Sequence, residues 1–593
     1  MAHAVDGDFW TPSFDITKRE DGTILMVQKD APLEALPTIA DYLDQWADRA
    51  PDRTFLARRG EDGEWVRLTY GESRDKALRL GSAFLEIGLG PDRPLLILSE
   101  NSLEHALCGL ACTYVGIPFA PVSPAYSLVS TDHKKLKDIV SLLQPGAIFA
   151  DDVAKFTKAL EAVSNDRIKT LGVRHLTEGS IGLEQLMQKG ATTAGAAARA
   201  ALTADTVLKY LFTSGSTGTP KAVINTNGMV TRNQVLVRDC YRFMQTEPPI
   251  VLDWAPWNHT AAGNKATYMV LTNGGTYYID DGKPSPDGIK TTVANLRDIA
   301  CNWYFNVPAG FDLLVGELEN DPELARVFFS QLKMLFYAGA GMSQNTWDRL
   351  IAVSKATTGK EILVTSSLGA TETGPFALTW TKPEPRAGKV GVPGRGLTLK
   401  LIPTDDAFEL RLKGTSIFPG YLGDAENTAK AFDEEGFYKM GDAVRPEDPN
   451  DLTRGFYFAG RLAENFKLAT GTWVSVGSVR AALVDSMQGL VRDAIIVGED
   501  RHELGALLWI SEAGTKLSEA ERNAKMKAGL EAHIRAATGS ASRVRRVAVL
   551  QFPPSHDRGE LTEKGSINQR ALRKNCAQQI DALYAEDDDF LRL

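Results

Sequence analysis

A chain of 593 residues is too long for one hydrophobic core and should divide into two or more domains. Its 24% charged and 43% hydrophobic residues are those of a soluble globular protein, and a formal net charge of −9 offers no general attraction for nucleic acid or an anionic membrane. Any phosphate it binds must be held by a local basic site.

The first eight residues, Met1 to Asp8, lack the basic and apolar regions of a signal peptide, and neither end carries a lipidation motif, so a cytoplasmic location is expected. Helical patterns over 36–50 and 70–88 alternate with apolar runs at 95–98 and 146–150, which predicts an α/β fold built on largely parallel sheets. The longest uncharged stretch, 106–132, is broken by Pro118, Pro121 and Pro124 and fits a buried helix followed by a strand, not a membrane span. Residues 190–204, rich in Ala, Thr and Gly, read as a connector or a surface helix. The five cysteines (Cys108, Cys112, Cys240, Cys301, Cys576) contain no CxxC pair, and Cys108 and Cys112 sit one helical turn apart as core residues, as in a reducing compartment.

The run from Tyr210 to Lys221 sets Thr213, Ser214, Gly215, Ser216, Thr217 and Gly218 behind an apolar strand and ahead of Pro220-Lys221. The glycines let successive N–H groups turn toward an anion, the hydroxyls add donors, and Lys221 supplies the countercharge. The segment reads as a polyphosphate grip, with a Ser/Gly-rich surface turn as the plain alternative. Its spacing is not that of a Walker loop, and Pro220 argues against a helix opening directly from it. Further on, strand-like runs at 494–497, 506–510 and 547–552 and a charged helix at 518–537 suggest a small α+β unit, so the expected division is 1–460 and 461–593.

The Tyr210–Lys221 segment resembles the phosphate-binding signature of the adenylate-forming superfamily, which includes acyl- and aryl-CoA synthetases. Other matches follow in the family's order. Leu368-Gly369-Ala370-Thr371-Glu372 resembles its Tyr-Gly-x-Thr-Glu motif, Tyr438-Lys439-Met440-Gly441-Asp442 its Tyr-x-Thr-Gly-Asp, and Gly460-Arg461 its Gly-Arg, with Gly420-Tyr421-Leu422 in the segment between. The resemblance implies a large N-terminal domain of stacked α/β sheets with a β-barrel-like part, and a small mobile α+β C-terminal domain. It implies ATP, Mg²⁺ and coenzyme A as well. The loop from Thr213 to Lys221 would take the β and γ phosphates, Thr371 would lie near the α-phosphate, and Glu372 would hold Mg²⁺. Asp442 would accept two ribose hydroxyls, with a helix cap as its alternative, and Gly339 and Ala340 would lie along adenine.

Three departures from the pattern stand out. Leu368 replaces the aromatic that opens the Thr-Glu motif, so adenine loses a stacking partner. Ala463, after Arg461, stands where a charged hinge residue is usual, while Lys467 still fits the pattern that follows. Ser566 occupies the place of the C-terminal catalytic lysine, and Lys564, two residues earlier on the same side of an extended segment, is the expected substitute; Lys574 is the alternative.

The Pro-x-x-His element Pro256-Trp257-Asn258-His259, with residues 274–284, is similar to feruloyl-CoA synthetases in particular. His259 would sit beside the carboxylate, with Trp257, Trp303, Tyr304 and Phe305 as neighbours of a planar ring; plain core packing is the alternative for these aromatics. The expected activity is ligation of ferulate or a related hydroxycinnamate to CoA through an acyl-AMP. Its rivals are loading of a carrier protein, a CoA ligase for another aryl or medium-chain acid, a luciferase-type oxygenase and a nucleotide-sensing protein with decayed catalysis. No nucleic-acid or membrane partner is expected, and a homodimer is left open.

Overall fold

The computed structural model describes residues 7–189, 192–214, 220–404, 407–555, 558–561, 567–585 and 591–592. A seven-stranded sheet is formed in the order Pro220–Thr226, Val207–Ser214, Phe119–Pro121, Leu95–Ile97, Ala147–Asp152, Lys169–Arg174, Ile181–Gly182. All its neighbours run parallel except the first pair, which is an antiparallel hairpin. Leu95, Ile97 and Phe149 pack with the helices Tyr70–Glu86 and Leu103–Val115, while Leu96, Ile148 and Ala150 pack with Lys134–Leu143 and Thr157–Val163. Burial on both faces explains why these strands read as continuous apolar runs.

The helix over 70–86 begins at a capping box in which Thr69 and Glu72 satisfy each other's backbone N–H groups. Helix Leu103–Val115 buries both Cys108 and Cys112, and the strand Phe119–Pro121 follows it, as the proline-broken stretch predicts. Part of 190–204 forms the helix Thr192–Ala200. Gly190 and Ala191 lie outside the described residues.

A second sheet of 11 strands begins at the Phe14–Lys18 hairpin and passes through Leu397–Pro403, Phe408–Gly414, Tyr438–Pro446 and Phe456–Arg461. It then continues through Lys389–Pro393 and Leu378–Thr379 into Leu363–Leu368, Met334–Tyr337 and Trp303–Asn306. Here the structure corrects the sequence reading: among the described residues no closed barrel forms. The short strand Leu378–Thr379 pairs on both sides, so the edge that would have closed a barrel is joined to the parallel strands.

The C-terminal part has its own cores. Its sheet, Val491–Val497, Leu504–Ile510, Val544–Val549 and Leu591–Arg592, packs with the helices Val476–Ser486 and Glu519–Ala536 around Leu483, Ile496, Leu508, Met526 and Leu530. All five cysteines are buried thiols. No helix of the described residues is long and apolar enough to cross a membrane.

Candidate functional site

The hydroxyl-rich loop is held at its mouth by the hairpin. Burial of Leu208, Leu211 and Phe212 fixes the strand, and the last rungs pair Thr213 with Lys221 and Ser214 with Pro220. Gly215, Ser216, Thr217 and Gly218 lie outside the described residues. The segment Gly420-Tyr421-Leu422 crosses the second strand of the hairpin: Ile224 N donates to Gly420 O at 3.1 Å, and Leu422 N to Ala222 O at 2.9 Å. This crossing carries the Tyr421 ring to 5.0 Å from Lys221 Nζ, a cation–π distance.

Strand Leu363–Leu368 ends in the turn Thr371–Thr373, which is fastened from the helix Asn227–Cys240. Asn233 Nδ2 donates to Thr373 O at 3.0 Å and to Phe376 O at 2.7 Å, and its Oδ1 accepts from Phe376 N at 3.2 Å. Gly374 has φ of +99°, and a Cβ there would come within 2.8 Å of Asn233 Cγ, so the approach requires glycine. The turn leaves Thr371 half-buried and buries Glu372 against Tyr421, whose hydroxyl donates to Glu372 Oε1 at 2.9 Å. Asn233→Ala strands three buried backbone groups, and we expect a loss of about 2 to 4 kcal/mol in unfolding free energy, measured by denaturant titration.

Asp442 and Arg461 face each other on adjacent strands, and Arg461 Nε lies 2.9 Å from Asp442 Oδ1. The Asp442 carboxylate raises the guanidinium pKa still further above its ordinary value. Tyr438, on the same strand as Asp442, is buried, and burial together with the Glu372 charge holds its phenol well above its usual range. Lys221, Tyr421, Glu372, Tyr438, Asp442 and Arg461 therefore form one electrostatically connected row. Met334–Tyr337 lies parallel beside Leu363–Leu368, so the exposed Gly339 and Ala340 stand at the same sheet end as the Thr371 turn. Such carboxyl ends of parallel strands are the usual place for a ligand in α/β sheets.

His259 sits at the start of a π-helix, Ala261–Ala266: Ala261 N donates to its Nδ1 at 3.2 Å, and Gly263 N donates to its carbonyl at 2.8 Å. π-Helical turns often mark functional sites. The buried Trp257 donates from Nε1 to Tyr277 Oη at 3.1 Å, and Tyr277 donates to Asp253 Oδ2 at 3.0 Å. With Lys209, Gly263 and Tyr268 it lines a cavity of about 40 Å³.

The four candidate aromatics do not make one wall. Trp303 and Phe305 share a strand face and stack at 6.2 Å, whereas Tyr304 points to the opposite face and packs against Phe311 and Phe328 at 5.8 and 5.1 Å. The alternation of a strand separates neighbours that look contiguous in sequence. Tyr304 belongs to the core behind the sheet, with its hydroxyl accepting from Asn306 Nδ2 at 3.1 Å.

Lys467 is exposed on its strand, 5.2 Å from the ring of Trp473 across the pair. Lys564 and Ser566 lie outside the described residues, but their flanks are joined by an antiparallel bridge between Leu561 and Ile567. Sequence reasoning assigned no role to Tyr421, Tyr438 or Asn233. Tyr421 and Tyr438 stood inside recognised motifs, yet nothing in the sequence shows that both turn toward Glu372. Asn233, in a plain helical stretch, gave no signal.

Among the described residues no cluster of three or more His, Cys, Asp or Glu side chains is arranged to hold a resident metal. Glu372, held by Tyr421, whose ring also meets Lys221, fits a Mg²⁺ ion that would arrive on a substrate's phosphates, because Mg²⁺ is commonly held by one or two carboxylates plus phosphate oxygens and water.

A large α/β body carrying these groups at its strand ends, followed by a small C-terminal domain, has the adenylate-forming fold. Residues 43–422 match the AMP-binding enzyme family and residues 466–588 the AMP-binding enzyme C-terminal domain, and the chain belongs to that family. It is 22% identical over 521 residues to 4-coumarate-CoA ligase 1 of Narcissus pseudonarcissus, covering 84% of this chain and 88% of that protein. It is 24% identical over 567 residues to a carboxylic acid reductase of Mycobacterium marinum, covering 88% of this chain but 46% of the reductase; the chain thus spans about half the length of such relatives. ATP-bound MatB from Rhodopseudomonas palustris superimposes with a TM-score of 0.69 at 20% identity, over 91% of this chain and 99% of that one. The A domain of a carboxylic acid reductase from Segniliparus rugosus, in complex with AMP and a co-purified carboxylic acid, gives 0.72 at 20% identity over 93% and 94%. At these identities the structural likeness is one of fold.

Proposed function

We propose that the chain is an ATP-dependent acid:CoA ligase acting on ferulate or a related hydroxycinnamate. The observation that carries the adenylating part is the connected row from Lys221 through Glu372 to Asp442 and Arg461. A substrate carboxylate oxygen attacks the α-phosphorus of ATP, the bond to pyrophosphate breaks, and an acyl-AMP forms. The CoA thiolate then attacks the acyl carbon and AMP leaves. Thr213 and Lys221, with the loop between them, neutralise the β and γ phosphates, Thr371 meets the α-phosphate, Asp442 takes the ribose hydroxyls, and Gly339-Ala340 borders adenine. Glu372 would hold Mg²⁺, which would supply positive charge to the phosphates. Residues 1–460 bind ATP and the acid, and residues 461–593 act as a lid that turns near Ala463 between the half-reactions, carrying Lys467 and Lys564. The buried thiols support a reducing, cytoplasmic setting.

His259 on its π-helical turn, with Trp303 and Phe305 on one strand face, supports a planar aryl acid, as does the likeness to 4-coumarate-CoA ligase. A second reading, passage of the acyl group to a carrier protein, draws support from the likeness to carboxylic acid reductases. Pyrophosphate release measured over a panel of acids, with and without CoA, separates them. Hydroxycinnamates should show much higher kcat/KM than acetate or palmitate, and their turnover should require CoA. Equal formation of palmitoyl-CoA and feruloyl-CoA would overturn the aryl reading.

A further inference from the structure

Lys265, six residues after His259 in the same helical segment, is 1% exposed, and its amine makes no hydrogen bond among the described residues. Aromatic rings enclose it instead. Its Nζ lies 3.1 Å from the ring centre of Phe336, 4.5 Å from Phe376, 5.3 Å from Tyr241 and 5.6 Å from Trp303. The indole Nε1 of Trp303, fully buried, also makes no hydrogen bond among the described residues. Two buried polar groups in one ring-lined cluster thus lack partners among the described residues, although such groups are nearly always satisfied.

The cluster's position connects it to the chemistry. Lys265 is carried by the segment that begins at His259, and Phe376 follows directly on the Thr371 turn. Trp303 and Phe336 lie on adjacent parallel strands, the second leading to Gly339. The cluster is thus tied through the chain to both His259 and the Thr371 turn, the two elements that would meet the carboxylate and the α-phosphate.

The chemistry of the two groups narrows the occupant. Burial pushes the Lys265 amine well below its usual range, and the neighbouring Cys240 thiol is held protonated by the same cause. A neutral amine offers a lone pair, and the indole offers an N–H. A phenol answers both at once: its O–H donates to the amine and its oxygen accepts from the indole. A second carboxylate would place two charges in a dry, ring-lined interior, at a penalty of several kcal/mol per ion before pairing. An alkyl tail would leave both groups without partners.

From this we infer that Lys265 and Trp303 form a phenol-recognition pair at the closed end of the acid pocket, selecting 4-hydroxyaryl acids over analogues that lack the hydroxyl. The inference rests on the aryl-acid reading above and adds to it the group that reads the ring substituent.

The test compares 4-hydroxycinnamate with cinnamate as substrates of the full chain, in the wild type and in Lys265→Met, a change that keeps volume and removes the amine. Two hydrogen bonds made in a buried site predict a wild-type preference of about 10- to 100-fold in kcat/KM for the hydroxylated acid. In Lys265→Met the ratio should fall to near unity, and Trp303→Phe should lower it by a smaller factor. The near-ultraviolet band of bound 4-hydroxycinnamate should shift in the wild type and return toward its solution position in Lys265→Met. If the methionine variant does not fold, the wild-type ratio and the Trp303→Phe ratio decide. Turnover of neither acid by the wild type, with turnover of another acid, would overturn the aryl reading itself. Equal use of both acids by the wild type, or an unchanged ratio in the variants, would overturn the role of the Lys265–Trp303 pair alone.

Discussion

Lys564→Ala should slow acyl-adenylate formation by about 10²- to 10³-fold, the loss typical of removing one positioned donor from developing charge. Synthetic feruloyl adenylate plus CoA should still give thioester at close to the wild-type rate, because the turned lid carries Lys564 away from the acyl centre. Ser566 stands where the resemblance puts the family's lysine, and Lys564 lies two residues earlier, on the same side of an extended segment. Ser566→Ala should be mild, and Ser566→Lys should partly rescue Lys564→Ala. Stopped assays of each half-reaction check this. Equal loss in both would indicate damage to the lid, and normal adenylation would move the assignment to Lys574.

Glu372→Gln should reduce adenylation by roughly 10²-fold at low Mg²⁺ and raise the Mg²⁺ concentration needed for half-maximal rate, because a neutral amide is a weaker ligand for a hard cation. Glu372 is buried and its Oε1 already accepts from Tyr421, so the amide keeps the fold while losing the charge. Tyr421→Phe provides the comparison. It removes one hydrogen bond from the carboxylate and keeps the ring beside Lys221, so its effect on the Mg²⁺ titration should be several-fold smaller. A Mg²⁺ titration unchanged in Glu372→Gln would take Glu372 out of the metal site.

Much of this site was legible because its parts are local. A hydroxyl-rich loop, a Thr-Glu turn and a Gly-Asp strand each announce themselves by residue type and spacing. The seven-stranded sheet was legible for the same reason: strands buried on both faces leave short apolar runs between helical patterns. What sequence could not give was direction and pairing. Trp303, Tyr304 and Phe305 are consecutive, yet the alternation of the strand sends Tyr304 into a different core. The expected barrel failed on pairing, since nothing in Leu378-Thr379 indicates that it bridges two sets of strands. Lys265 was passed over because a lysine within an apolar segment carries no sign that aromatic rings from four other elements will close around it.

The central claim is that this row of residues activates an aryl carboxylate as its adenylate. Exchange of labelled pyrophosphate into ATP, measured with 4-hydroxycinnamate and without CoA, tests it most directly, because label returns to ATP only if an acyl-AMP forms reversibly. The account predicts rapid exchange that depends on the acid and is lost in Asp442→Asn, where ribose binding is weakened. Exchange that is absent with every hydroxycinnamate, or that proceeds equally well with no acid present, would contradict it.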